Sequence, residues 1–219
     1  MTYLQFRERY IFWGLLISLL LAFTFTPFLH ESVRTLNIFI LSSLVFAVGA
    51  IAKTRKRLLL GMALGVPSFA VSIVAINLGH KFLLSLHYSL STVFFGFVII
   101  ILLYDIFIHK RVDTNQLLAA ISIYLCIGVV WAMLFGLVNL YEPNSYSMAG
   151  SASADIDTSS LLYFSIVTLT TLGYGDITPL SAPARSLAAM EALVGQIYLT
   201  VLVARLVGLH IAGESNSSK

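Results

Sequence analysis

Residues 168–179 read Thr-Leu-Thr-Thr-Leu-Gly-Tyr-Gly-Asp-Ile-Thr-Pro, and this stretch decides the fold. Two glycines, Gly173 and Gly175, alternate with larger residues, and glycine reaches backbone dihedral angles that a Cβ atom closes to other residues. With those dihedrals the successive carbonyls of residues 171–175 can turn to one side of the chain, and the hydroxyl of Thr171 can join them at one end. The pattern therefore predicts a row of oxygen atoms that copies of the chain can arrange around a common axis.

A short apolar segment precedes this loop. Asp157-Thr158 offers an N-cap, and residues 159–170 predict a helix. A helix of this length rises about 18 Å, too little to cross the roughly 30 Å hydrocarbon core of a bilayer. It is tolerated there only where protein or water surrounds it, and its C-terminal carbonyls would favour a cation near the loop. The preceding residues 141–157 are rich in small and polar types and predict a flexible extracellular turret.

The composition of the chain indicates a membrane environment. Hydrophobic residues make up 58% of it and charged residues 11%, far from the range of soluble proteins. The sequence predicts a polytopic membrane protein, because six runs approach the length needed to cross a bilayer: 10–28, 35–52, 58–78, 83–108, 116–140 and 183–210.

The basic residues are distributed unevenly between the ends of these spans. If the N-terminus is cytoplasmic, the inner segments hold Arg7, Arg9, Lys53, Arg55, Lys56, Arg57, Lys110, Arg111 and Lys219, with Arg205 near the inner end of the last span. The outer segments hold Arg34, Lys81 and Arg185. The positive-inside rule therefore predicts that both termini are cytoplasmic and that the Gly-Tyr-Gly loop lies outside. The net charge of +3 then reports membrane orientation and not nucleic-acid binding.

Six spans, with a Thr-Leu-Gly-Tyr-Gly loop after the fifth, resemble the voltage-gated-like pore-loop superfamily of potassium channels. The resemblance implies an all-α membrane protein with six transmembrane helices, a re-entrant pore helix and a selectivity-filter loop between helices five and six, and a tetrameric pore. Because the chain carries one such motif, we expect a homotetramer. Leu172 stands where valine is more usual, which leaves the carbonyl unchanged. The filter would consist of Thr171, Leu172, Gly173, Tyr174 and Gly175, with K⁺ replacing its water shell at Thr171, Leu172, Gly173 and Tyr174.

Residues beside the loop are predicted to hold it in shape. Asp176 could hydrogen-bond to Tyr163 behind the filter, or it could be a solvent-exposed acid that concentrates cations. Tyr174 could brace the loop against aromatic residues such as Tyr163 and Phe164.

Glu191 is unusual because it lies within an apolar helix, where a charged group costs about 3 kcal/mol or more. It could hydrogen-bond to the back of the filter or pore helix at Thr168 or Thr170, it could stay protonated, or it could sense protons. We favour a supporting role, and we place Glu191 and Thr170 with Asp176 and Tyr163 as filter supports.

The last span would line the inner part of the pore. The resemblance implies a flexible hinge glycine near Gly195, although a small residue at this position could equally serve close helix packing. Helical spacing predicts one face that combines a hydrated cavity with an apolar constriction able to gate by dewetting, unless its two valines pack against neighbouring helices. This face holds Gln196, Leu199, Thr200, Val203 and Val207.

The first four spans differ from those of voltage-gated relatives, in which the fourth span carries Arg or Lys at every third position. Residues 83–108 contain neither, and their ionisable groups near neutral pH are His87 and Asp105. We therefore expect no conventional voltage gating. Asp105 lies within reach of Lys110 or Arg111 for an ion pair, and His87 is interpreted as structural, with pH sensing as the alternative.

These interpretations divide the chain into three parts. Residues 1–112 would form a charge-poor, four-helix peripheral domain resembling a voltage sensor. Residues 113–212 would form the pore domain, and residues 213–219 a short cytoplasmic tail. So little chain follows the last span that we expect no ligand-sensing cytoplasmic domain.

The expected function is passive, K⁺-selective conduction across a prokaryotic cell (inner) membrane. No His-Glu-x-x-His, phosphate loop or catalytic triad is present in the sequence, so we expect neither an enzyme nor a cofactor beyond the permeant K⁺. The expected partners are the lipid bilayer and three further copies, with an unidentified regulatory subunit left open and no nucleic acid. A weakly selective cation channel and a non-conducting subunit that retains the fold are the alternatives.

Overall fold

The computed structural model describes residues 3–25, 33–108, 114–149 and 156–217. Long helices dominate this part of the chain, with one short helix and two three-residue strands in the region of the loop. In chain order the elements are α1 (Tyr3–Phe25), α2 (Val33–Ile51), α3 (Arg55–Leu78), α4 (Lys81–Ile108), α5 (Thr114–Tyr141), β1 (Tyr146–Met148), α6 (Thr158–Leu169), β2 (Ile177–Pro179) and α7 (Ala182–Ser217).

Each predicted span coincides with a helix wherever the structure describes the chain. Among the described residues, α3, α4, α5 and α7 are long and apolar enough to cross a membrane by length and composition. The apolar parts of α1 and α2 are shorter, at Tyr10–Thr24 and Ser42–Ile51. The chain is therefore a multi-pass membrane protein with four spans by this criterion, and the six-span arrangement remains a prediction.

The core forms where α1 and α4 pack against α5 of the same chain, while α2 and α3 pack against α1, α4 and each other. On α4, the side chains of Phe94, Phe95 and Val98 are fully buried. Gly136 of α5 lies against the ring of Tyr88 from α4, and Gly128 lies against the ring of Phe23 from α1. Because these two glycines carry no Cβ atom, the rings can approach the α5 backbone closely.

Helices α5 and α7 differ sharply in burial. In the most apolar stretch of α5, 67% of the residues are buried, whereas the corresponding stretch of α7 is 11% buried. α5 is therefore the centre of the single chain, and α7 lies at its edge with apolar side chains uncovered.

The fold is mostly helical, as expected for an all-α membrane protein, and β1 lies in the segment that the sequence predicted as a flexible turret. β1 pairs antiparallel with β2, with Ser147 opposite Thr178. The ring of Tyr146 is buried against Phe135 and Phe164, which anchors β1 to α5 and α6. Burial also raises the pKa of the Tyr146 hydroxyl. Residues 150–155 of the predicted turret lie outside the described part of the chain.

Candidate selectivity filter

The short helix α6 begins and ends as the sequence predicts. Asp157 is its N-cap, and its carboxylate accepts hydrogen bonds from the Ser160 amide at 2.9 Å and the Ser159 hydroxyl at 2.6 Å. Leu162 and Leu169 are fully buried, so the helix is embedded in protein. At 12 residues, α6 rises about 18 Å, which matches a helix that enters the membrane without crossing it.

The filter loop leaves α6 by turning its amides back onto the helix. The amides of Thr171 and Leu172 donate to the carbonyls of Thr168 and Val167, each at 2.9 Å. The carbonyls of residues 171–175 accept no backbone hydrogen bond within the described part of the chain. The loop therefore presents a run of unpaired carbonyl oxygens.

The backbone of the loop adopts left-handed dihedrals at three positions. φ is 58° at Gly173 and 77° at Gly175, where the absence of a Cβ atom makes such values inexpensive. Thr171 also has φ of 58°, a conformation that costs a non-glycine residue about 1–2 kcal/mol. The hydrogen bond from the Thr171 amide to the Thr168 carbonyl helps to hold this conformation, and so does a hydrogen bond of 3.3 Å from Gln196 Nε2 to Thr171 Oγ1.

The side chains of the loop lie open in the single chain. Tyr174 is 67% exposed and Leu172 is 55% exposed. The prediction that Tyr174 braces the loop against aromatic residues such as Tyr163 and Phe164 stays a prediction. Phe164 packs against Phe135 and Tyr146.

The outer end of the loop is held by Asp176. The Tyr163 hydroxyl donates to Asp176 Oδ2 at 2.6 Å, which is the contact that the sequence favoured over a free acid. Asp176 Oδ1 accepts from the Ile177 amide, and its carbonyl accepts from the Ala149 amide at 2.7 Å. Asp176 thus ties the loop both to the pore helix and to the segment after β1.

Glu191 is completely buried, and its partner differs from the two that were predicted. Its Oε1 lies 2.5 Å from Ser165 Oγ, and Ser165 Oγ lies 2.7 Å from the Gly128 carbonyl. The Thr170 hydroxyl instead donates to the Ile166 carbonyl of its own helix at 2.7 Å. Glu191 is therefore one turn further from the loop than expected, and it joins α7 to both α6 and α5.

The last carbonyl of α6 is held between two helices. The Tyr124 hydroxyl of α5 donates to the Leu169 carbonyl at 3.1 Å. On the other side Gly195 lies so close that a Cβ atom there would clash with the Leu169 carbonyl oxygen. α7 runs unbroken through Gly195, so the structure supplies a packing reason for this glycine, and its role as a hinge stays a prediction.

The predicted cavity face of α7 is uncovered in the single chain. Leu199 and Val203 are exposed, and so are Gln196 and Thr200. The Thr200 hydroxyl donates to the Gln196 carbonyl at 2.8 Å, within the helix. The side chain of Val207 lies outside the described residues.

The ionisable residues Asp105 and His87 of α4 make contacts within the region of the first four helices. Asp105 forms ion pairs with Arg57 Nη1 at 2.9 Å and Lys53 Nζ at 3.0 Å. The sequence suggested Lys110 or Arg111 as partners, and those residues lie outside the described part of the chain. His87 is buried, with its Nδ1 3.4 Å from Ser91 Oγ.

Three contributors were missed by the sequence interpretation: Tyr124, Ser165 and the bond of Arg205 to the end of α4. Each acts across more than 25 residues of chain, and no local pattern marks it. Within the described residues, no group of three or more His, Cys, Asp or Glu side chains is placed to hold a metal ion.

Comparison with known proteins gives one family. A family model described as ion channel matches residues 119–210, which hold α5, the filter loop and most of α7. Protein LctB of Bacillus caldotenax is 35% identical over 106 residues, covering 44% of this chain and 78% of that protein. Protein LctB of Geobacillus stearothermophilus is 32% identical over 102 residues, covering 44% and 74%.

A plant protein shows a similar likeness. Two-pore potassium channel 2 of Arabidopsis thaliana is 33% identical over 98 residues, covering 45% of this chain but only 20% of its own length. No solved structure matches the chain at a significant level.

Proposed function

The chain belongs to the pore-loop family of ion channels, and from that membership we propose that it conducts K⁺ selectively and passively through the Thr-Leu-Gly-Tyr-Gly loop. Membership makes it an ion-channel protein and not an enzyme. The K⁺ selectivity, the filter residues and the mode of gating are the parts that this proposal adds.

The observation that carries the proposal is the unpaired row of carbonyls at residues 171–175. The amides of Thr171, Leu172 and Gly173 point back to α6, so the carbonyls of Thr171 and Leu172, which lie trans to the amides that follow them, face away from the helix. Gly173 and Gly175 provide the dihedrals that this arrangement needs. A ring of such oxygens from several chains can replace the hydration shell of K⁺. We propose that the filter sites lie at Thr171, Leu172, Gly173 and Tyr174, and the run of unpaired carbonyls supports this assignment.

A homotetramer completes the site. One chain supplies one filter loop, whose side chains are exposed, and one inner helix with few buried residues. Leu193, Ile197 and Val203 of α7 are each more than half exposed. Four chains around one axis would bring the loops together and place these helices between neighbours and the pore.

The orientation follows from the basic residues. Lys53 and Arg57 lie at the inner ends of α2 and α3 in the proposed topology, and the filter loop then lies on the outer side. We propose a cell (inner) membrane location with both termini in the cytoplasm. Residues 1–112 would form the peripheral domain, 113–212 the pore domain and 213–219 the tail.

Potassium flux through the purified full-length chain in liposomes tests this proposal. Under opposing K⁺ and Na⁺ gradients, we expect a reversal potential near that of K⁺. Gly173→Ala should abolish this flux, because alanine at φ of 58° costs about 1 kcal/mol or more in each of four copies. Gly96→Ala is the matched control, since a Cβ atom at Gly96 on α4 meets no heavy atom within 4 Å.

Two results would overturn the proposal. A reversal potential near zero would identify a weakly selective cation channel. An absence of flux at all voltages from confirmed tetramers would identify a non-conducting subunit that retains the channel fold.

A further inference from the structure

A seam where three helices meet lies behind the filter, and it contains the buried acid Glu191. The contacts run in register: Glu191 and Gly195 of α7 meet Ser165 and Leu169 of the parallel helix α6, each pair four residues apart. Across α6, Gly128 and Tyr124 of the antiparallel helix α5 meet the same two residues. The seam is defined by Tyr124, Gly128, Ser165, Leu169, Glu191 and Gly195.

The positions of the oxygen atoms in this seam determine which of them must carry a proton. Ser165 Oγ lies 2.7 Å from the Gly128 carbonyl and 2.5 Å from Glu191 Oε1, both within hydrogen-bond distance. A serine hydroxyl has one proton, and a backbone carbonyl can only accept. If Ser165 donated to an ionised Glu191, its oxygen would face the Gly128 carbonyl with no proton between them. If Ser165 donates to Gly128, the proton of the other bond must come from Glu191.

The surroundings of Glu191 offer nothing that would stabilise a negative charge. Its second oxygen, Oε2, has no hydrogen-bond partner in the described part of the chain. The ion pairs found there involve Asp105 and not Glu191. Two titratable groups act on Glu191 electrostatically, the neutral phenols of Tyr124 on α5 and Tyr146 on β1. From α6, the Ser165 hydroxyl contacts Glu191. A buried carboxylate without a counter-charge is expensive, whereas a neutral carboxylic acid leaves only one weak acceptor unpaired.

We propose that Glu191 holds a proton in the conducting channel and donates it to Ser165, which donates to Gly128, so that a neutral chain of two hydrogen bonds fixes the pore helix. Glu191 is a positioning residue, because it acts on the filter through α6. Its ionisation would remove the first hydrogen bond and place an unpaired charge behind the filter. Conduction should therefore fall as the pH rises through the ionisation of Glu191. This inference rests on the proposed function for its effect on conduction but not for the proton itself.

Infrared spectroscopy of the full-length protein in liposomes tests the proton directly. The C=O band of a protonated carboxyl group should be present at neutral pH and absent from Glu191→Gln. Glu142→Gln removes an exposed carboxyl group and should leave the band unchanged. Ser165→Ala should move the band to higher frequency, because the acid loses its hydrogen-bond acceptor. Absence of a band that depends on Glu191, or a band that Ser165→Ala leaves in place, would overturn the proposal. Both infrared results test the proton on Glu191 even if the protein does not conduct.

Flux against pH tests the consequence. The amide of Glu191→Gln can still donate to Ser165 and cannot ionise, so its K⁺ flux should stay within about twofold of wild type at neutral pH and should not fall at alkaline pH. Glu191→Ala removes the donor, and we expect at least a tenfold loss of flux at all pH values. Loss of flux by Glu191→Gln equal to that of Glu191→Ala at neutral pH would show that the carboxylate is required, and the proposal would fail. An alkaline fall shared by wild type and Glu191→Gln would assign the effect to another group and contradict it as well.

Discussion

The contact between Gly195 and the Leu169 carbonyl shows how a single residue constrains the pore at the residue scale. That carbonyl is the last of α6, and it also accepts the Tyr124 hydroxyl from its other side, so it cannot move away from α7 without distorting that hydrogen bond. A methyl group at position 195 would therefore push the pore helix and the filter out of register. The sequence left a hinge and close helix packing open for this glycine, and the two roles predict different consequences of substitution.

We predict that Gly195→Ala lowers the thermal stability of the assembled channel and its K⁺ flux together. Overpacking of a tight contact costs about 1–3 kcal/mol per subunit. Gly96→Ala, in open space on α4, should leave stability unchanged or raise it by up to about 1 kcal/mol, since alanine is the better helix former. Thermal unfolding of the purified protein measures the difference. Unchanged stability of Gly195→Ala with lost opening would instead favour the hinge.

The residue scale is also where the sequence was least able to predict partners. Glu191 could be recognised as unusual, because an acid in an apolar helix is costly wherever it lies. Which turn of α6 it faces depends on the relative height of two helices separated by the filter loop, and no residue pattern encodes that height. The bond between Tyr163 and Asp176 was predictable because a short loop limits where Asp176 can reach.

At the scale of elements, Arg205 links the inner end of α7 to the inner end of α4. Its Nη2 donates to the carbonyls of Ile106 at 2.5 Å and Phe107 at 3.0 Å, and its guanidinium lies over the Phe107 ring at 4.7 Å from the centroid. The last carbonyls of a helix lack partners within it and carry the negative end of its dipole. A cation from α7 therefore satisfies the C-terminus of α4.

We predict that Arg205→Gln weakens the attachment of α4 to the pore. Hydrogen bonds to a charged donor contribute about 1.5–3 kcal/mol, and part of this is lost to solvent at the membrane surface. The unfolding temperature should fall, and exchange of backbone amides near the end of α4 should accelerate in hydrogen-exchange mass spectrometry. Arg55→Gln, at an exposed arginine at the start of α3, is the control and should change neither. Equal exchange near the end of α4 in both variants would contradict a link through Arg205.

The elements themselves were largely predictable because the membrane demands long apolar runs. The start of α6 was predictable from Asp157, since an N-cap is a local signal. β1 was not, because the burial of Tyr146 depends on Phe135 and Phe164, which are distant in sequence. The partners of Asp105 were missed for the same reason, as Arg57 lies 48 residues away.

At the scale of the whole molecule, α1 and α4 pack against α5 of the same chain, and the first four helices carry little charge that could respond to voltage. Tyr88 of α4 hydrogen-bonds to Thr158 at the start of α6 at 3.0 Å, and Ser85 pairs with Tyr141 of α5. These contacts fix the outer half of α4 to the pore domain. The acid at the inner half, Asp105, is neutralised by Arg57 and Lys53.

We therefore predict that the open probability depends only weakly on membrane voltage. One charge that crosses a potential of about 100 mV contributes about 2.3 kcal/mol, and steep gating needs several such charges in each subunit. α4 offers no arginine or lysine after Lys81. The cluster of Asp105, Arg57 and Lys53 is tied together by ion pairs, and it would have to break in order to move.

Single-channel recording in planar bilayers should show less than about a tenfold change in open probability over about 100 mV, because tenfold corresponds to about 1.4 kcal/mol. Asp105→Asn removes the acid of the cluster, and it should lower stability without altering this slope. A steep voltage response, made shallower or steeper by Asp105→Asn, would show that the charge cluster moves across the field and that the first four helices are a voltage sensor.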